Sequence, residues 1–438
     1  MRKLLFILLG AFSLGGLTPL MAQTESPERT ERTFTQYFDT TIDVAMYAAP
    51  GADTEGILSG FEDILRDIHR LATIFDEYDD LTNVRTINEN PGVDHEVDAH
   101  LFEMIQLGKE YYEKTDGYFN IALGPVISIW QERLDMCTGL MCELDREDLP
   151  SEEELQEADL YTDIEGITLD EENRTVRIEE GMKLDLGGIA KGYGAKIAAD
   201  YLKSFDEVEA FILNAGTSNI EVYGDHPERE GGRWKIEFVD PAFEPDIWSI
   251  IRGDREVFAE IYIPAGTSIV GSGNYERYFE VDGVRYHHLI NPYTLYPSGS
   301  LEEDMTAFER FRNAMLCRTA QDHFQGVWLV TDDPLIGDIL VTAAYLMPIE
   351  DALDYVENLE NTEGVFYGAD GRIFKTGGFE GELLHGHEWS APEDRPPCVL
   401  PLVVIGGTLI AGGLGTLLYL RIRKKKTNAD SEKTTETQ

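Results

Sequence analysis

The chain has 438 residues, and 82 Asp plus Glu against 36 Lys plus Arg give it a formal charge of -46. That balance argues against nucleic acid and anionic lipid surfaces as partners. Its four cysteines, Cys137, Cys142, Cys317 and Cys398, are too few and too scattered for a disulfide framework, although Cys137 and Cys142 stand close enough to pair in an oxidising compartment, with free buried thiols as the alternative.

Met1-Arg2-Lys3 is basic, and Leu4 to Leu20 is apolar, ending in Leu20-Met21-Ala22 before the polar Gln23. The pattern predicts a secretory signal peptide over residues 1–22. At the other end Cys398 to Leu420 is an uncharged, glycine-rich apolar run followed by Arg421, Arg423, Lys424, Lys425 and Lys426. Such a run is long enough to span a bilayer, and the basic cluster stays on the cytoplasmic side; a buried core helix is the alternative. The expectation is a single-pass protein of the cell membrane with residues 23–376 folded outside it as one domain. Residues 377–397, with Pro392, Pro396 and Pro397, are then a linker, 398–420 the transmembrane helix and 421–438 a basic tail.

Within the domain, Phe34 to Tyr47 reads as a strand and Gly56 to Phe75 as an amphipathic helix ending before a polar loop that carries Tyr78. A second helix, Ala99 to Thr115, leads into DGYFNIALGPVISIW, Asp116 to Trp130. Its Tyr118 and Phe119 offer aromatic faces to a flat ring or to the core. Lys183 to Leu202, KLDLGGIAKGYGAKIAADYL, is the most informative stretch. Val176 to Leu184 reads as a strand, Gly187 and Gly188 as a turn, and Ile189 onward as a helix. A strand that turns through glycines into a helix aims free N–H groups and the positive end of the helix dipole at whatever lies above it, which suits an anion. Lys191 adds positive charge one turn in, and Asp185 an acceptor just before the turn. Gly192 and Gly194 form a GxG, but Ile197 stands where GxGxxG needs its third glycine, and no GxxxxGK[ST] occurs.

Ala210 to Leu213 reads as a strand entering Asn214-Ala215-Gly216-Thr217, and Trp234 to Pro241 and Ile261 to Val270 as further strands. Gly271 to Pro297, GSGNYERYFEVDGVRYHHLINPYTLYP, contains His288, a side chain suited to proton transfer near neutral pH or else a packed strand residue. Ser298 to Phe324 is an acidic insertion holding Phe311 and Cys317. Ile336 to Tyr345 reads as a helix on which Asp338 and Thr342 share a face. A carboxylate and a hydroxyl so placed suit Mg²⁺, although a capping Asp beside a core Thr has the same spacing.

Together these stretches resemble the ApbE family, flavin transferases that move FMN from FAD onto a Ser or Thr of a target protein. DLGGIAKGYGA is similar to the family's central motif, DGYFNIALGP with its Trp to a Gly-aromatic-Asp-Ile run followed by GPL and Trp, and GSGNYERYFEVDGVRYHHLINPYTLYP to SGDYER…HHIIDPxTGxP. The chain departs at Asn120, Asn274 and Asn291, where the family has Asp, and at Thr217 and Leu295, where it has Gly. The resemblance implies an α+β fold in a single large domain, with FAD as substrate contacted by Tyr78, Tyr118, Phe119, Asn120, Asp185 and Lys191. It further implies Mg²⁺ held by Asp338, Thr342 and the backbone carbonyl of Gly188, with His288 as the base and Ser272, Tyr275 and Arg277 shaping the phosphate site. The partner so implied is an extracellular or membrane-bound redox protein bearing a Ser/Thr flavinylation motif.

Two rival readings share these residues. An FAD pyrophosphatase would yield FMN and AMP with water, whether or not an acceptor protein is present. A non-catalytic flavin-binding surface protein would keep FAD whole and be indifferent to Asp338→Ala.

Overall fold

The structure, a computed structural model, describes residues 26–137, 144–216, 218–243, 255–275, 277–300 and 323–390. The expected signal segment, the apolar run 398–420, the basic tail, nearly all of the acidic insertion, Cys142 and Thr217 lie outside them. Among the described residues no helix is long and apolar enough to cross a membrane. Cys137 is disulfide-bonded.

Strands β1 (Glu28–Phe34) and β2 (Ile42–Ala48) form a hairpin where the sequence suggests one strand from Phe34 to Tyr47. A turn with positive φ at Phe38 and Asp39 divides them, which alternation of apolar residues does not reveal. Helix α1 (Thr54–Ala72) is capped by the Asp53 side chain and buries Ile57, Leu58, Phe61, Leu65, Ile68 and Leu71 on one face. Then come α2 (Val84–Glu89), β3 (His95–Glu96), α3 (Ala99–Lys114), α4 (Gly124–Met136), α5 (Glu152–Asp159), β4 (Ile167–Asp170) and β5 (Thr175–Ile178). β5 stops short of Leu184 because Gly181 turns the chain at a φ of 87°. Helix α6 (Ala190–Lys203) follows the glycine turn as expected.

The second half runs through β6 (Val208–Ala215), β7 (Asn219–Tyr223), β8 (Trp234–Val239), β9 (Val257–Ile263) and β10 (Ser268–Gly273). The apolar run Ile261 to Val270 is thus two strands, broken at Gly266 with φ 78°. β11 (Tyr278–Val281), β12 (Val284–His287), β13 (Phe324–Thr331), α7 (Pro334–Leu346), α8 (Ile349–Glu357), β14 (Glu363–Gly368), β15 (Ile373–Lys375) and β16 (Glu382–Leu383) complete the described α-helices and strands.

Eight of these strands form an antiparallel sheet in the order β1-β2-β6-β7-β10-β13-β14-β15. Strand alternation sends Ile42, Val44 and Met46 of β2 to the helix side, where α1, α6 and α7 pack, and Tyr47 to the other. There the small sheet β16-β9-β8 covers the opposite face, with Trp234, Phe238 and Phe258 against Trp328 and Tyr367. The result is a mixed helix-and-sheet fold in three layers.

The segment from Gly377, expected as a linker, instead continues the fold as far as residue 390. β16 pairs with β9, Phe379 is buried, and Trp389 bridges to Ile373 along the β15 edge. Those two aromatic rings give an otherwise polar stretch something to bury, and the prolines that suggested a linker all lie beyond 390. The opposite edge strand, β1, carries Glu28, Arg29, Glu31 and Arg32.

Candidate functional site

Helix α6 starts with no local side-chain cap at Ile189. Asp338 of α7 supplies one from across the interface, its Oδ2 accepting the Gly192 N–H at 2.9 Å. Its Oδ1 lies 3.6 Å from Lys191 Nζ, and Lys191 also donates to Ser218 Oγ at 2.6 Å. Asp338 is only 3% exposed. Burial pushes its carboxyl above the usual carboxylate range, opposed by the Lys191 charge and the Gly192 N–H. Thr342, one turn along α7, donates to the Asp338 carbonyl at 2.9 Å. A Cβ placed on Gly188 would lie 3.7 Å from Thr342 Cγ2, so Gly188, Asp338 and Thr342 share one corner. The donors gathered there are a carboxylate, a hydroxyl and backbone carbonyls, all hard oxygens of the kind Mg²⁺ takes.

This approach of α6 to α7 depends on a glycine. A Cβ on Gly192 would sit 2.7 Å from Asp338 Cβ and 3.0 Å from the Pro334 carbonyl oxygen. Gly192→Ala is therefore expected to destabilise the domain by about 1–3 kcal/mol, the cost of overpacking a tight interface. Thermal unfolding reads it, and an unchanged melting temperature would mean that the two helices separate without penalty. Gly194 answers a different neighbour, the Phe38 ring, whose Cζ would be 2.8 Å from an added Cβ. The GxG, which lacks the third glycine of a dinucleotide fingerprint, thus serves close packing on both sides of α6.

The two adjacent histidines part company at the end of β12. His287 is 1% exposed and locked: Nδ1 accepts the Leu289 N–H at 3.1 Å and Nε2 faces the Ser298 carbonyl at 2.8 Å. His288 lines the cleft, with Nδ1 3.4 Å from the Arg277 carbonyl. Burial, followed by the positive charges of Arg277 and Lys191, pushes the His288 pKa down to about 4, while the Arg277 carbonyl opposes that shift. At neutral pH its imidazole is uncharged and able to take a proton. Asp185, before the glycine turn, accepts the Gly187 N–H at 2.8 Å. Burial raises its pKa, against the Gly187 N–H and Arg277.

These groups open into one cleft of about 320 Å³, lined also by Tyr118, Phe119, Asn120, Gly187, Gly188 and Lys191. Phe119 is buried, and an added Cβ on Gly188 would lie 2.8 Å from its ring. Tyr118 meets Tyr293 edge-on, centroids 5.0 Å apart. Asn120 lines the wall, but its amide is engaged locally: Oδ1 accepts the Ala122 N–H at 2.8 Å and Nδ2 donates to the Thr162 carbonyl at 3.0 Å. Of the expected residues, Tyr275, whose ring stacks on Trp328 with centroids 6.5 Å apart, does not line the cleft, and neither does Tyr78. The Tyr78 ring lies under the Arg70 guanidinium, 4.4 Å from ring centroid to Cζ, and from the same loop region it is Phe75, 49% exposed, that lines the cleft.

Sequence reasoning placed Phe38 to Thr40 within a strand and passed over His69, Phe75 and Ser218, all of which line the cleft. Only Ser218 carried a usable signal, standing just after the Asn-Ala-Gly turn of β6. Leu295, where a glycine was expected, keeps the backbone that glycine would favour, with φ 67°, and its carbonyl accepts the Trp130 Nε1–H at 2.8 Å.

The ApbE family model matches residues 38–310. An FAD:protein FMN transferase of Klebsiella pneumoniae (strain 342) is 26% identical over 306 residues, 68% of this chain and 80% of that protein. One of the same name from Rhodobacter capsulatus is 28% identical over 353 residues, 76% of this chain and 60% of that protein. Among solved structures, the ApbE protein of Thermotoga maritima aligns with a TM-score of 0.62 at 25% identity, covering 80% of this chain and 97% of that one. The flavin transferase ApbE of Vibrio cholerae shares the fold, with a TM-score of 0.59 at 19% identity over 80% of this chain and 98% of its own. The family match spans more than half the chain and takes in the β1–β2 turn, the glycine turn and His288; this chain belongs to the ApbE family.

Proposed function

We propose that this enzyme, a flavin transferase by family, moves FMN from FAD to the hydroxyl of a Ser or Thr side chain on a target protein and releases AMP. What supports the reading most is one cleft that gathers a glycine turn at a helix N-terminus, Lys191, Arg277, a buried carboxylate and a neutral imidazole. Gly187 and Gly188 let a pyrophosphate come close to the backbone, and Lys191 and Arg277 offset its charge. Asp338, Thr342 and the Gly188 carbonyl would hold Mg²⁺, which when bound supplies further neutralisation of phosphate oxygens.

His288 then accepts the proton of the incoming Ser or Thr hydroxyl. The hydroxyl oxygen bonds to the phosphorus on the FMN side, the bond from that phosphorus to the bridging oxygen breaks, and AMP departs with the bridging oxygen. Both reactants are held in line, so the protein's contribution is positioning and charge. The terminal apolar segments support a single-pass membrane form with this domain outside the cell, and hence an extracellular or membrane-bound redox protein as the target.

The test incubates the enzyme with FAD, Mg²⁺ and an acceptor domain bearing an exposed Thr motif. Flavin fluorescence that stays with the acceptor on a denaturing gel is the expected result. AMP without labelled acceptor would turn the reading to a pyrophosphatase, and FAD recovered whole would turn it to a binding protein.

A further inference from the structure

The turn between β1 and β2 has the least ordinary backbone around the cleft. The Thr40 N–H donates to the Tyr37 carbonyl at 3.3 Å, and both central residues have positive φ, 55° at Phe38 and 51° at Asp39. That is the φ pattern of a type I′ turn, which favours Asn and Gly. A phenylalanine in this conformation costs about 1–2 kcal/mol and persists only where its surroundings hold it.

Those surroundings are specific. The His69 Nδ1 atom accepts the Phe38 N–H at 3.2 Å. Its ring meets the Phe38 ring edge-on, with centroids 5.5 Å apart, and the Tyr37 ring at 6.0 Å. On its other side the Phe38 ring rests on α6 at Gly194. Phe38, Asp39, Thr40 and His69 all line the cleft.

We infer that His69 is a positioning residue for the flavin nucleotide: its Nδ1 holds the Tyr37 to Thr40 turn in place as one wall of the cleft, so this side chain governs affinity for FAD and not the transfer step. The inference rests on the reading of the cleft as the FAD site. Because Nδ1 accepts, the neutral ring carries its proton on Nε2, and a doubly protonated ring has no lone pair to offer Phe38. Burial lowers the His69 pKa, against the Asp39 and Asp76 carboxylates, and so favours the form that accepts. Without that acceptor the stored strain lets Phe38 relax toward negative φ, and the wall withdraws.

Three substitutions in the full chain test this, read by quenching of flavin fluorescence on titration with FAD and by KM and kcat for AMP formation with acceptor present. His69→Leu removes the acceptor; His69→Gln carries its amide oxygen farther out than Nδ1; His69→Asn keeps an oxygen close to the Nδ1 position. The Leu and Gln variants are expected to bind FAD about tenfold more weakly and raise KM to match, with kcat within about twofold, whereas Asn stays within about threefold of wild type. If Leu does not fold, the contrast between Gln and Asn carries the test. Wild-type affinity in Leu or Gln overturns the inference, as does an Asn variant as weak as Gln, or a fall in kcat at unchanged KM. If the wild-type protein itself binds no FAD, the cleft assignment fails first and the role of His69 falls with it.

Discussion

Asp338→Asn is expected to lower FMN transfer about a thousandfold while leaving the domain folded. The amide oxygen of Asn can still accept the Gly192 N–H, so the cap that Asp338 supplies to α6 survives. What disappears is the negative charge, which faces Lys191 at 3.6 Å and which a divalent cation would need. Asp338→Ala removes both and should add a stability loss of about 0.5–2 kcal/mol, the usual worth of a helix cap. Transfer measured by fluorescent acceptor, beside thermal unfolding of both variants, separates the two roles. An Asn variant that keeps a tenth or more of the activity would leave Asp338 a structural cap and remove the metal from the proposal.

His288→Ala should reduce transfer by about 10²–10⁴-fold, the range for losing a positioned base, with FAD affinity little changed. The pH dependence of the wild type adds an independent check. Because burial holds the His288 pKa at about 4, the imidazole stays unprotonated well below the ordinary histidine range. The rate should therefore hold level from neutral pH toward 5 and fall only on approach to about 4. An acid limb centred near 6.5, the free imidazole value, would mean either that the His288 pKa is not held down or that some other histidine titrates. Stability follows the same sign. The unfolded chain binds this proton more readily, so the contribution from His288 is complete above about 6.5 and is lost as pH falls through the folded value.

Much of this site was legible because it sits in local sequence: Gly187-Gly188 before a helix, Lys191 one turn in, and Asp338 with Thr342 on one helical face. Periodicity placed α1, α3, α6 and α7 to within a few residues. What local sequence does not carry is the partner of each group. Asp338 does cap a helix, as its spacing allowed, but the helix is α6 and not its own. The choice between Tyr78 and Phe75 turned on Arg70, a residue from the preceding helix that occupies the tyrosine face. The Phe38 turn stayed hidden because Phe-Asp is no turn signature; it is imposed by His69 and Gly194, distant in sequence. The same is true of Leu295, whose backbone follows the expected glycine while its side chain packs with Trp130 and Ile290.

The long sheet leaves its two margins in different states. Along β15 the return of Trp389 and Ser390 occupies hydrogen-bonding groups of Ile373. Along β1 the outer row of N–H and C=O groups has no ninth strand beside it among the described residues. That margin is guarded by charge: Arg29 pairs with Glu31, and Arg32 reaches Glu55 on α1. A second copy adding itself there would have to break these pairs and set strongly acidic molecules side by side. Edge-to-edge, fibre-like stacking of copies through the sheet is thereby disfavoured.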